Sequence, residues 1–251
     1  MTLGVNIDHI ATLRQVRYAG MRDAPNAEPD LLAAASICER AGCHGITVHL
    51  RTDRRHIQDH DVDRLRASLM TKLNLEMGNT REIVDFALKV LPEEVCIVPE
   101  NRAELTTEGG LDVVAQRTPL APTIKRLQAS GVRVSLFIEP VPDQIECARE
   151  LGAEMIELHT GAFANSIGDD QQGEFRRLRS AASFAHGLGL QVNAGHGINY
   201  TNIALIRTVP HLAELNIGHS IVARAVFSGL ERAVTEMLAA MRKRRGTGLA
   251  D

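Results

Sequence analysis

The stretch PDQIECARELGAEMIELHT, Pro142 to Thr160, contains the plan of the chain in one unit. Its first part, PDQIECARELG, has helical periodicity and stops at Gly152, a residue that tolerates the left-handed position at a helix C-terminus. Its second part, MIELHT from Met155, is a short apolar run of the kind buried on both faces in a parallel sheet. The same punctuation of helix, glycine and strand recurs in PTIKRLQASG before VRVSLFI at Val132, and in FRRLRSAASFAHGLG before LQVNAG at Leu190.

Working outward, the remaining strand candidates are LGVNI from Leu3, GITVHL from Gly45, KLNLEM from Lys72, VCIVP from Val95 and ELNIG from Glu214. Between them lie DLLAAASICERAG ending at Gly42, VDRLRASLM, and TREIVDFALKVL with Thr80 as its N-cap. Eight such alternations predict an α/β protein, a closed (β/α)8 barrel of the TIM type. The chain has 251 residues, the length at which one such barrel closes. The expectation is a single domain over residues 1–251 with a short basic tail from about residue 242. A last helix is expected from Ile221 to Met241, with Val222, Val226, Leu230, Val234, Met237 and Met241 at helical spacing for core packing or a subunit contact. Two long loops stand out, 17–29 and 99–119, the second a lid candidate.

A hydrophobic share of 44% and a charged share of 24% fit a globular protein with a large core. A net charge of -3 provides no field that would draw the chain to nucleic acid or an anionic membrane, so neither is expected as a partner. The tail RKRRGTGLAD reads as a solvated end. Cys38, Cys43, Cys96 and Cys147 form no CxxC pair and read as small core residues in a reducing, cytoplasmic setting. No leader of secretory type precedes Leu3, and the longest uncharged apolar run, Leu31 to Cys38, is far short of the roughly 18 residues a spanning helix needs.

In a parallel barrel the site lies at the carboxyl ends of the strands. Strand one is read as ending in Asn6, Asp8 and His9, strand two in His49 and Arg51, strand three in Glu76, strand six in Glu157 and His159. Strands seven and eight deliver Asn193 and His196, then Gly218 and His219. Any one of these taken alone is as readily a satisfied core or ion-pair residue as a functional one. Their convergence on one rim is what core packing would not require, and it points to catalysis. The turns NAGHG (193–197) and NIGHS (216–220) suit phosphate, because glycine lets an anion approach backbone N–H groups at a following helix start. In HLRTDRRH, Arg51 and His56 read as a second anion site, and Arg54 and Arg55 as solvated charge.

The strings VNIDHIATLR, GITVHLRTDRRHI, LNLEM, VPENRAELTTEGGLDV, SLFIE, IELHTG, LQVNAGHG and ELNIGHSI, collinear over almost the whole chain, resemble the pyridoxine 5'-phosphate synthases. The resemblance implies condensation of 1-deoxy-D-xylulose 5-phosphate with 3-amino-1-hydroxyacetone 1-phosphate, with release of inorganic phosphate and water. It implies a homo-octamer with extra helices between subunits, and no cofactor or metal. The family's catalytic groups fall on His49 in HLR, Glu76 in LNLEM and His196 in AGHG, the first two as general bases and the third as proton donor. Its substrate and phosphate contacts fall on Asn6, Asp8, His9, Arg17, Arg51, His56, Thr106 in LTTEGG, Gly197, Gly218 and His219. The segment YAGMRDAPNAEPD after Arg17 is longer than the link in many relatives.

Three other readings stay beside this one. A Schiff-base aldolase needs a rim lysine, and Lys72, Lys89, Lys125 and Lys243 lie at a strand start, in helices or in the tail. A metal-dependent phosphosugar epimerase or hydrolase would draw on His9, His49, His159 and His196 with nearby carboxylates. A non-catalytic phosphate binder would use the glycine turns alone.

Overall fold

The structure, a computed structural model, describes residues 1–21, 24, 26–100 and 109–242. Its strands are β1 (Thr2–Asn6), β2 (Gly45–Leu50), β3 (Lys72–Met77), β4 (Glu94–Ile97), β5 (Arg133–Ile138), β6 (Met155–His159), β7 (Gln191–Gly195) and β8 (Leu212–Ile217). They form a closed barrel in chain order, every neighbouring pair parallel, with β1 paired to β8. The expected (β/α)8 barrel is what the chain forms. The helices are α1 (Asp8–Tyr18), α2 (Leu31–Arg40), α3 (Asp59–Ser68), α4 (Arg81–Val90), α5 (Arg117–Ala129), α6 (Pro142–Glu150), α7 (Gly161–Asn165), α8 (Gly168–Gly187), α9 (Ile203–Ile206), α10 (His219–Ser228) and α11 (Leu230–Arg242).

Local chemistry sets these boundaries. The Asp30 side chain accepts the Ala33 N–H and caps α2, while Thr80 caps α4 as expected. Gln58 and Asp61 form a capping box on α3. Gly131, Gly152 and Gly189, all at positive φ, turn α5, α6 and α8 back towards the strands that follow. The four cysteines are buried and free.

The register decides which side chains share a level. His49 on β2 pairs with Glu76 on β3, Glu157 on β6 with Asn193 on β7, and Gly195 on β7 with Asn216 on β8. At the opposite end of the barrel, Lys72 Nζ lies 2.6 Å from Glu94 Oε2 and 2.8 Å from Glu214 Oε2, with Arg133 bonded to Glu94 at 3.0 Å. This ion network closes the amino-terminal face, so the open end is the carboxyl-terminal one.

Three expectations are corrected. The final helix is two: Gly229, at φ 81° and ψ 153°, interrupts it between α10 and α11, a conformation only glycine takes at little cost. The break lets α11 pack on α2 while Val226 stays exposed on α10. Helix α5 starts at Arg117, ahead of the proline that was read as its beginning, with Pro122 inside it. Asp8 and His9 belong to α1 and not to the first strand. Asn6 Oδ1 accepts the Asp8 N–H at 2.9 Å, and this turn starts the helix as soon as the strand ends. The second half of the 99–119 loop is seated, Leu111 N–H donating to Phe137 O at 2.7 Å, while residues 101–108 lie outside the described residues.

Replacing Lys72 by Met leaves the buried Glu94 and Glu214 carboxylates facing each other without their shared cation. A loss of about 3–5 kcal/mol is expected, the usual cost of stripping one partner from a buried pair, and the urea midpoint measures it.

Candidate active site

A cavity of about 560 Å³ opens at the carboxyl ends of the strands. Asn6, Asp8, His9, His49, Arg51, His56, Glu76, His196, Gly197, Gly218 and His219 all line it, joined by Glu157, Asn216 and Phe137. Two expected residues stand apart. Arg17 is exposed at the end of α1, its guanidinium carbon 6.0 Å from the Tyr18 ring centre, and does not line the cavity. Thr106 lies outside the described residues.

One corner is built by β1, β2 and β3. Asn6 Nδ2 donates to Asp8 Oδ2 at 2.9 Å, and Asp8 Oδ1 accepts the His49 backbone N–H at 2.8 Å, which locks the start of α1 onto β2. Asp8, His49 and Glu76 bring ligand-type atoms within 4.8 Å of one another. His49 Nε2 is 3.0 Å from Glu100 Oε1, and Glu100 Oε2 accepts from the Thr52 N–H at 3.1 Å and from its hydroxyl at 2.7 Å. Burial works against the Glu100 charge, but these bonds outweigh it and hold its carboxyl at about 2. The carboxylate therefore fixes the His49 ring and leaves Nδ1 for other chemistry. Sequence reading missed Glu100, because its partner lies 51 residues away in the chain.

The floor is a buried polar network. Thr47 Oγ1 donates to Asn216 Oδ1 at 3.0 Å, and Asn216 Nδ2 donates to Glu157 Oε2 at 2.6 Å. A side chain at Gly195 would overlap the Glu157 carboxyl, so that glycine supplies the space for the acid. Burial pushes Glu157 up to about 7, despite the Asn216 bond. Burial also pushes Glu76 well above the carboxylate range, assisted by Glu157 and Asp8. Desolvation and crowding both favour the protonated form of Glu76 and Glu157.

The opposite wall is made by the two glycine turns. His196 and Gly197 take consecutive positive φ angles of 74° and 78° after β7. Gly218 is the N-cap of α10, packed so closely on Asn6 that a Cβ would stand 2.9 Å from Asn6 Cβ. The cavity here meets the first N–H groups of a ten-residue helix. His9 meets His219 edge to face at 5.0 Å. Burial lowers the pKa of both His9 and His56, so these rings act as neutral hydrogen-bonding groups near pH 7. Permanent positive charge in the lining comes from Arg51.

The family model for "Pyridoxal phosphate biosynthesis protein PdxJ" matches residues 3–243. The chain belongs to the PdxJ family. Curated relatives include the pyridoxine 5'-phosphate synthases of Akkermansia muciniphila, 58% identical over 94% of this chain and 97% of the relative, and of Opitutus terrae, 57% identical over 94% and 96%. Among solved structures, a 3-hexulose-6-phosphate synthase covers 96% of this chain and 99% of its own at a TM-score of 0.63, with 16% identity, a likeness of fold alone. Within this PdxJ-family chain, the acid and base candidates on β2 and β3 and just beyond β7 thus line one cavity.

The raised Glu157 pKa has a stability consequence. The folded state keeps this proton between the ordinary carboxylate value of 4.5 and about 7, so stability falls as pH rises through that window. Glu157→Gln removes the loss. Its urea midpoint is expected to gain on wild type between pH 5 and pH 8, and an unchanged difference would contradict the neutral carboxyl.

Proposed function

We propose that this chain is a pyridoxine 5'-phosphate synthase that joins 1-deoxy-D-xylulose 5-phosphate to 3-amino-1-hydroxyacetone 1-phosphate and releases inorganic phosphate and water. The observation that carries the reading is the pairing of His49 and Glu76 on adjacent strands, with His196 in the same cavity and an anion cradle on each side. Two phosphorylated substrates need two cradles. Arg51 and His56 form one, and Gly197, Gly218 and His219 at the start of α10 form the other.

The amine of one substrate attacks the ketone of the other; phosphate leaves, water adds, and an aldol-type closure with dehydration gives the aromatic ring. Each step moves a proton. Glu76, made more basic by burial beside Glu157 and Asp8, takes protons from carbon or nitrogen. His49, with Glu100 holding its far nitrogen, serves as the second base. His196 gives a proton to departing oxygen. Asn6, Asp8 and His9 lie where they would hold the amino ketone against this trio. Arg17 and Thr106 belong to the reading as substrate contacts by resemblance only. Among the described residues no lysine lines the cavity, which favours an imine between the substrates over one with the protein.

The same reading carries a single catalytic domain over residues 1–251 with a basic tail, a cytoplasmic location and a homo-octamer. Leu13 and Val16 on α1 and Val226 and Phe227 on α10 are exposed apolar side chains on helices beyond the basic repeat, which supports burial between subunits. Among the described residues, no helix is long and apolar enough to cross a membrane.

The convergence of Asp8, His49 and Glu76 also suits a divalent ion, and this keeps the metal-dependent epimerase as the second reading. Chelator-treated protein supplied with both substrates decides between them. Pyridoxine 5'-phosphate and inorganic phosphate are expected in equal amounts. No product, with activity on another phosphosugar restored by a divalent ion, would overturn the synthase.

Glu76→Gln keeps the shape and removes the base, so turnover is expected to fall at least a hundredfold, the scale of general base catalysis. In wild type the acid limb of kcat/KM should lie above the ordinary carboxylate value of 4.5, because Glu76 is active only when deprotonated and its pKa is raised. Near wild-type turnover in the variant would remove Glu76 from the mechanism.

A further inference from the structure

His159 ends β6, is 5% exposed, and has no part in the chemistry above. Its Nδ1 lies 2.6 Å from Glu139 Oε1, just beyond β5, and the same oxygen accepts the Gly110 N–H at 3.0 Å. Its Nε2 is buried and, among the described residues, has no hydrogen-bond partner. An orphaned ring nitrogen in a dry site is costly, and such atoms call for a functional explanation.

The surroundings say where that nitrogen works. His159 meets His196 edge to face, ring centres 5.0 Å apart, and Phe137 packs against both at 5.2 and 6.5 Å. Gly161 supplies the room. A Cβ there would overlap His159 Nε2 and stand 3.0 Å from His196 Cδ2, so the two edges share the space above that glycine. Burial opposes the Glu139 charge, but the bonds from His159 and Gly110 outweigh it and keep the carboxyl ionised below its usual range. A carboxylate on Nδ1 makes that nitrogen the donor, so Nε2 is the ring atom that faces this space. Among the described residues, the charged groups beside His159 are Glu139 beyond β5 and Arg177 on α8, which acts on Glu139.

We propose that His159, held by Glu139, is a positioning residue for His196: it fixes the ring and, through Nε2, favours the protonated form that His196 needs to act as an acid. This rests on the reading of His196 as proton donor. His159→Phe keeps an aromatic ring and removes both nitrogens. With the full chain and both substrates, kcat is expected to fall about tenfold with KM unchanged. The alkaline limb of the kcat profile should move to lower pH, because His196 loses its proton more readily. Glu139→Gln should move that limb in the same direction by less, and it decides the question if His159→Phe does not fold. An unmoved alkaline limb, whatever the change in kcat, overturns the positioning role. His196→Gln separates the two layers. A wild-type rate in that variant removes the acid itself and the proposal with it, whereas a crippled His196→Gln beside an unmoved limb removes the proposal alone.

Discussion

Pairing of β1 with β8 closes the barrel, and the site exists only because it does. Thr2 aligns with Glu214 and Val5 with Ile217, which brings residues from the two ends of the chain to one level. Asn6 can then pack on Gly218, and His9 can meet His219. Without closure, the wall that carries α1 and the wall that carries the helix N-terminus of α10 would be opposite edges of an open sheet.

Closure also produces the electrostatics. An eight-stranded parallel barrel has an interior filled with side chains and little water. In this one, several of those side chains are polar. Thr47, Asn74, Glu157, Asn193 and Asn216 are buried, and the bonds from Thr47 to Asn216 to Glu157 run across the barrel. Carboxyls there keep their protons above the ordinary carboxylate range because charge is poorly solvated. The same desolvation that costs stability makes the Glu76 carboxylate more basic than an exposed one. The ion network of Lys72, Glu94, Glu214 and Arg133 lies at the other end, where charge is paired and no reaction is needed.

Histidines in and beside the cavity are differentiated by their neighbours. His49 has an ionised Glu100 on Nε2, His159 an ionised Glu139 on Nδ1, and His9 and His56 are held neutral by burial. One residue type thus meets three different electrostatic environments in and beside a single pocket. Two carboxylates, each just beyond a strand end, account for much of the difference.

The barrel was legible in the sequence because each β/α unit has its own local signal: an apolar run, an amphipathic stretch and a glycine such as Gly152 that must take positive φ. Site residues on strand ends, His49, Glu76 and Glu157, were legible for the same reason, since position on a strand follows from local pattern. The break at Gly229 was not, because apolar spacing continues across it and only the packing of α11 on α2 selects two helices. Nor were the roles of Glu100, Glu139 and Asn216. Each depends on a partner far along the chain, and a hydrogen bond or a desolvated carboxyl has no period to read. The sequence by itself determined the strands whose ends carry His49, Glu76 and Glu157. Only the tertiary structure decided which of them touch and which are kept from water, because distance and solvent access arise when the barrel closes.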